Sequence, residues 1–163
     1  MPRAASPLDV RIPYCGVGSV HPKQHAFLVS WQREVLFGGA AGPGKTMALA
    51  MGALQYAEVP GYSALLLRRT YRQLTQEGQL MDVMRTWLRG TEARWDDTEA
   101  KWYFPSGASI QMGHLDSERD LENYSGPEFQ FIGFDELTQF PEDHYRFLFT
   151  RLRRPKDLNV PLR

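Results

Sequence analysis

The 163-residue chain contains a single cysteine, Cys15. A disulfide framework and a cysteine-rich zinc site are therefore both excluded within the sequence, and such low cysteine usage is typical of a reducing compartment. No apolar run approaches the ~20 residues that a membrane span requires. The stretch from Met1 to Val10 lacks the apolar core of a signal peptide.

Net charge is also lacking. Lysine plus arginine and aspartate plus glutamate number 19 each, so no bulk positive field indicates nucleic-acid binding. The arginines near the C-terminal end have two equally good interpretations. They form either a local basic patch or a solvated helix face. The residues concerned are Arg146, Arg151, Arg153, Arg154, Lys156 and Arg163. No metal-ligand spacing relates the four histidines, His21, His25, His114 and His144.

Hydrophobic periodicity predicts helices that alternate with strands after an extended lead-in over residues 1–20. Strands are expected at 34–37, 63–67 and 129–134, and period-2 spacing over 93–113 predicts a small antiparallel meander. Helices are expected at about 22–33, 44–57, 70–88, 117–124 and 141–153. This alternation predicts one α/β domain over residues 21–163 with a mainly parallel central sheet.

The strongest motif follows the expected strand at 34–37 and fits the pattern G-x-x-x-x-G-K-[ST] of a phosphate-binding loop. Glycines let the backbone approach phosphates, successive N–H groups form an anion-binding nest, and the next helix adds its positive dipole end. Lys45 is expected to reach the β- and γ-phosphates and Thr46 to offer its hydroxyl to Mg²⁺. The predicted nucleotide-binding residues here are Gly39, Ala40, Ala41, Gly42, Pro43, Gly44, Lys45, Thr46 and Met47. A mere glycine-rich turn is disfavoured by the flanking strand and helix patterns.

An apolar strand ends in two adjacent carboxylates, Asp135 and Glu136, 90 residues after Lys45. Alone, such a pair is usually only a strand end. Beside a phosphate loop, however, Asp135 can hold the magnesium shell and Glu136 can act as general base toward the attacking water. We therefore predict Thr46 and Asp135 as metal ligands, and Lys45 and Glu136 as catalytic residues.

Gln24 lies 15 residues before Gly39. Its amide could donate to and accept from an adenine edge at once, which would favour ATP over GTP. An ordinary exposed helix glutamine is an equally good interpretation. Tyr14, His25 and Phe27 are candidates for stacking on the base, and spacing does not choose among them.

The ordered set of motifs resembles the large terminase subunit of tailed bacteriophages over about residues 20–163. The resemblance is carried by residues 23–24, the phosphate loop at 37–46, and the stretches 65–71, 104–110, 133–140 and 150–153. It implies an N-terminal ATPase domain of the additional-strand, catalytic-glutamate type, followed in relatives by an RNase H-like nuclease domain. The implied cofactors are ATP and Mg²⁺. The implied partners are double-stranded DNA, the small terminase subunit, the portal protein and further copies in a ring, all in the host bacterial cytoplasm.

The sequence departs from the pattern of this family in its arginines. Many relatives carry an arginine inside the phosphate loop, where Ala40 and Ala41 stand here, and some carry one before the acidic strand. The candidates for the missing charge are Arg119, Arg151 and Arg153, and Arg151 is taken as the predicted catalytic arginine. If Arg151 or Arg153 serves, it is expected to reach the phosphate of a neighbouring subunit.

The family's coupling strand and nuclease domain are expected beyond residue 163, so the chain is expected to be a truncated ATPase domain. Two alternatives stay open. One is a DEAD-type helicase module, against which Leu137 and Thr138 follow the acidic pair instead of Ala-Asp or Ala-His. The other is a truncated nucleotide-binding remnant without efficient turnover.

Overall fold

The computed structural model describes residues 10–16, 18–39, 42 and 44–163. Its strands are β1 (Ser63–Arg68), β2 (Arg94–Asp96), β3 (Lys101–Tyr103), β4 (Ser109–His114) and β5 (Phe131–Phe134). Its α-helices are α1 (Pro22–Leu28), α2 (Gly44–Leu54), α3 (Tyr71–Thr75), α4 (Leu80–Leu88) and α5 (Glu142–Phe149), and 3-10 helices span Glu118–Tyr124 and Leu137–Gln139. The α/β class predicted from the sequence is confirmed. None of the described helices is long and apolar enough to cross a membrane.

The five strands form one mixed sheet in the order β2-β3-β4-β1-β5. β1 pairs in parallel with β4 and β5, whereas β2, β3 and β4 pair antiparallel. The expected meander is therefore present, but it extends the main sheet, and the prediction of a mainly parallel sheet is wrong. The reason lies in the connections: the short turns between β2, β3 and β4 permit only antiparallel pairing, while parallel neighbours need long crossovers.

The core lies on both faces of β1. Ala64 and Leu66 belong to a cluster with α2, α4 and the meander, and Leu65 and Leu67 belong to a second cluster on the opposite face. All four are fully buried. A continuous apolar strand is what a central position in a sheet covered on both faces requires.

The strand predicted at 34–37 is wrong. This segment has no strand structure, and Leu36 is 79% exposed. The outer edge of β5 instead bonds main chain from the C-terminal end: Ile132 N–H donates to Arg163 O at 2.8 Å. A strand needs a neighbour for its backbone N–H and C=O groups, and within the described residues the segment 34–37 has none.

Helix boundaries differ from expectation mainly where turns intervene. Thr70 caps α3 as predicted, accepting from Gln73 N–H at 3.2 Å. The single helix expected over 70–88 is divided into α3 and α4, because Gly78 takes a left-handed φ of +72° between them. The first helix ends at Leu28 and the last at Phe149, several residues earlier than the apolar pattern indicates.

Candidate functional site

One cavity of about 470 Å³ lies where the carboxyl ends of β1 and β5 meet the first turn of α2. Ligand sites in open α/β sheets lie at this end of parallel strands, and the volume falls within the range of small-molecule sites. The cavity is lined by Gly42, Lys45, Thr46, Arg68, Gln73, Gln76, Gly78, Gln79, Glu136 and Gln139. Four predicted site residues are thus brought together, with a wall of glutamines that the sequence did not indicate.

The two predicted metal ligands are in contact, although they lie 89 residues apart. Thr46 Oγ1 donates to Asp135 Oδ2 at 3.1 Å. Asp135 is held at the end of β5 by its N–H, which donates to Leu67 O at 2.9 Å. A hydroxyl and a carboxylate are oxygen donors of the kind that Mg²⁺ prefers, so the residues present fit this ion.

The protein offers Mg²⁺ few side chains beyond this pair. Among the described residues, no group of three or more His, Cys, Asp or Glu side chains could hold a metal ion. Magnesium sites commonly use one or two protein oxygens and take the rest from waters and substrate phosphates. The arrangement is therefore suited to a metal that arrives with its phosphate ligand.

Asp135 is a buried carboxylate with a buried cation beside it. Arg68 Nε lies 2.9 Å from Asp135 Oδ2, and both side chains are less than 10% exposed. The Nε–H is not aligned as a hydrogen bond, so the contact is chiefly electrostatic. Burial raises the pKa of Asp135, while Arg68 and Thr46 oppose that rise.

Sequence reasoning missed Arg68 as a site residue. The available signal was a lone charge at the carboxyl end of an otherwise leucine-rich parallel strand. That position faces the end of the sheet where ligands bind.

At Glu136 the backbone turns after the end of β5, and the residue lines the cavity. Its backbone is left-handed, with φ of +59° and ψ of +53°, and its carbonyl accepts from Gln139 N–H at 2.9 Å. The residue is exposed and lines the cavity beside Lys45. A non-glycine residue in this region costs on the order of 1–2 kcal/mol, and such strain clusters at functional positions.

The phosphate-loop segment is described only in part, because Ala40, Ala41 and Pro43 lie outside the described residues. Gly39 has a φ of +152°, a conformation that favours glycine. Lys45 Nζ donates to Gly39 O at 3.2 Å, which links the start of α2 to the first residue of the motif. Met47 is half-buried and packs against the core, where it anchors the first turn of α2.

Gln24 is buried and joins α1 to the start of α2. Its Oε1 accepts from His21 N–H at 3.0 Å, and its Nε2 donates to Gly44 O at 3.0 Å. It is therefore not the exposed glutamine of the alternative interpretation, and adenine readout stays a prediction. Of the stacking candidates, Phe27 lies in the core and Tyr14 packs on the Phe104 ring, with centroids 5.1 Å apart.

The candidate arginines lie away from the cavity. Arg151 donates from Nη1 to Ser125 O at 2.6 Å, and its guanidinium lies 5.4 Å from the Phe147 ring centroid. Arg153 faces Glu128, and Arg119 is exposed. Among the residues that the structure describes, Arg68 is the one arginine that lines the cavity. A role for Arg151 toward a neighbouring subunit stays a prediction.

Comparison with protein families decides the relationship. The model for the N-terminal part of the terminase large subunit, T4-like virus type, matches residues 36–157, about three quarters of the chain. The chain belongs to this terminase family. The resemblance drawn from the sequence is thus confirmed, and the family indicates a role in phage DNA packaging. Searches of curated proteins and of solved structures each gave no match.

The terminase match covers the loop residues from Gly39 to Met47, the strand end at Arg68, and the acidic pair at Asp135 and Glu136. All the cavity-lining residues lie inside it. Gln24 and Arg163 lie outside the matched range, so their contacts are known from the structure alone.

Proposed function

We propose that this terminase domain hydrolyses ATP and converts that hydrolysis into translocation of double-stranded DNA into the procapsid. The observation that carries the proposal is the 3.1 Å contact between Thr46 Oγ1 and Asp135 Oδ2, in a cavity that Lys45 and Glu136 also line. A phosphate loop beside an acidic strand end is the arrangement that phosphoryl transfer from ATP requires. Family membership supports the setting of DNA packaging.

The residues of the phosphate loop would bind the triphosphate. Lys45 would release Gly39 O and offset charge on the β- and γ-phosphates, while the N–H groups at the start of α2 contact phosphate oxygens. Thr46 and Asp135 would hold Mg²⁺ between them. When bound, Mg²⁺ offsets phosphate charge and orients the phosphate chain.

Glu136 would act on the attacking water. Its carboxylate is exposed to the cavity, so a water can lie between it and a phosphate bound at Lys45. As the water oxygen bonds to the γ-phosphorus and the bond to the β-phosphate oxygen breaks, Glu136 takes the water's proton. Asp135 is buried and ion-paired, which makes Glu136 the better placed base.

The working assembly would include double-stranded DNA, the small terminase subunit, the portal protein and further copies in a ring, in the host cytoplasm. In such a ring Arg151 could meet a neighbour's phosphate. A nucleotide-binding domain without efficient turnover is the second candidate. The observation that favours it is that the segment 34–37, which precedes the phosphate loop, pairs with no strand among the described residues.

The test combines calorimetry with phosphate release. We expect wild-type protein and a Lys156→Ala control, which alters an exposed lysine, to bind Mg²⁺-ATP equally, and Lys45→Ala to lose binding. Unchanged affinity in Lys45→Ala would remove the basis for the site. Turnover that rises with protein concentration and with double-stranded DNA supports the motor, and binding without turnover supports the second candidate. Stimulation by single-stranded nucleic acid instead would favour a helicase.

A further inference from the structure

Asp135 Oδ2 lies beside two side chains. Thr46 Oγ1 lies 3.1 Å from it and Arg68 Nε 2.9 Å from it. The Asp135 carboxylate is buried, and a buried carboxylate is stable only with a partner of opposite charge or hydrogen-bond donors. Arg68 is the partner of opposite charge.

Arg68 is held where it is from its other side. Its Nη2 donates to Gln79 Oε1, and Gln79 is the N-cap residue immediately before α4. The Gln79 side chain makes no capping hydrogen bond to α4, and its amide oxygen accepts from the Arg68 guanidinium instead. The neutral Gln73 and Gln139 side chains, bonded to each other at 3.0 Å, complete this wall of the cavity.

Asp135 Oδ2 is the carboxylate oxygen that lies beside Thr46 Oγ1, so it is placed to share a Mg²⁺ with that hydroxyl, and Arg68 Nε contacts the same oxygen. A divalent ion and a guanidinium at one oxygen repel each other. Binding of the metal therefore weakens the contact between Arg68 and Asp135.

From this geometry we propose that Arg68 is a positioning residue that holds the place of the metal. Its guanidinium neutralises Asp135 and competes with Mg²⁺ for the carboxylate when nucleotide binds. Gln79 keeps the released guanidinium in the cavity wall. The proposal rests on the proposed function, since it assumes that Mg²⁺ arrives at Thr46 and Asp135 with a nucleotide.

The experiment measures the Mg²⁺ concentration at which ATP binding is half-maximal. In Arg68→Gln it should fall about tenfold, near the low end of coupling between linked sites, because the competing cation is gone. Arg69→Gln is the matched control, because Arg69 is half-buried, lies outside the cavity lining and faces Asp116 at 3.9 Å. Its half-maximal concentration should equal that of the wild type.

A second measurement uses no nucleotide. Thermal unfolding with and without Mg²⁺ alone should show a lower midpoint for Arg68→Gln and a larger rise on adding the ion than wild type shows, since the buried carboxylate then lacks its cation. If Arg68→Gln does not fold, Arg68→Lys replaces it. Its compact charge cannot contact both Asp135 and Gln79, so the half-maximal concentration should fall by a smaller factor.

The outcomes separate this inference from the function. An Arg68 variant that binds ATP with an unchanged or higher Mg²⁺ requirement overturns the place-holding role and leaves the ATPase proposal intact. Failure of the wild-type protein to bind Mg²⁺-ATP overturns the ATPase proposal itself. A lowered Mg²⁺ requirement in the Arg68 variants together with an unchanged one in Arg69→Gln supports the competition.

Discussion

The left-handed backbone at Glu136 makes stability and catalysis separable by substitution at one position. Glu136→Gln keeps the side-chain shape and the strained φ of +59° but removes the proposed proton acceptor. Glu136→Asn removes the acceptor and places a residue there that tolerates this region better. Glu136→Gly removes the acceptor together with the steric cost.

The magnitudes follow from the backbone angles. The left-handed backbone costs an ordinary L residue on the order of 1–2 kcal/mol of folding free energy, and glycine avoids this cost. Glycine is destabilising by roughly 0.5–1 kcal/mol for a different reason, because it has more conformational entropy to lose on folding, so only part of the relief remains. Glu136→Gly should therefore be about 0.5–1 kcal/mol more stable than Glu136→Gln, with Glu136→Asn between them. All three variants should lose turnover by roughly 10²–10⁴-fold and keep ATP binding.

Urea unfolding, calorimetric ATP binding and phosphate release measure the three quantities. A glycine variant no more stable than the glutamine variant would refute the assignment of strain to this residue. Wild-type turnover in any of the variants would refute Glu136 as the base. Loss of ATP binding in all three would indicate that the turn itself, and not the carboxylate, shapes the cavity.

Three further predictions test other parts of the structure. Gly133→Ala should lower the free energy of unfolding by about 1–3 kcal/mol, because an added Cβ would lie 2.9 Å from leucine side chains of α2 and β1. Gly126→Ala, with no atom within 4 Å of the new Cβ, should be near neutral in the same urea titration. Arg163→Met should cost about 2 kcal/mol, since the buried guanidinium donates to three carbonyls at the end of α1; an unchanged thermal midpoint would contradict this. Burial raises the pKa of Asp135, so the contribution of this carboxyl to stability is greatest when it is protonated and is lost as pH rises through the folded pKa. Conversely, Mg²⁺-dependent ATP binding should weaken on acidification at a higher pH than an ordinary aspartate would give, and Asp135→Asn should weaken that binding at every pH and remove this dependence.

The local elements around the site could be predicted because their signals are local. Gly44 as the start of α2 follows from a helix-forming run after a glycine-rich turn, and β1 from a compact leucine run between a Pro-Gly break and a Thr cap. The approach of Thr46 to Asp135 was predicted from chemistry, since both residue types suit one magnesium ion.

What the sequence could not predict depends on contacts between distant segments. The apolar content of 34–37 indicates a strand, but a strand exists only where a neighbour bonds its backbone, and that is not a local property. The Arg68–Asp135 pair joins two strand ends 67 residues apart, and nothing in either segment alone points to the other. Arg163 likewise finds its partners on α1 at the far end of the sequence.

The two edges of the sheet are protected against self-association in different ways. The β2 edge is three residues long and carries Arg94 and Asp96 at its ends, which discourages a further strand from pairing there. The outer edge of β5 is covered by this chain's own main chain, because Ile132 N–H donates to Arg163 O. The exposed apolar side chains that follow α1 include Trp31 and Leu36, 82% and 79% accessible to solvent. Concentrated solutions should therefore associate through these two side chains rather than through a sheet edge, and charges introduced at the two positions should improve solubility without altering the cavity.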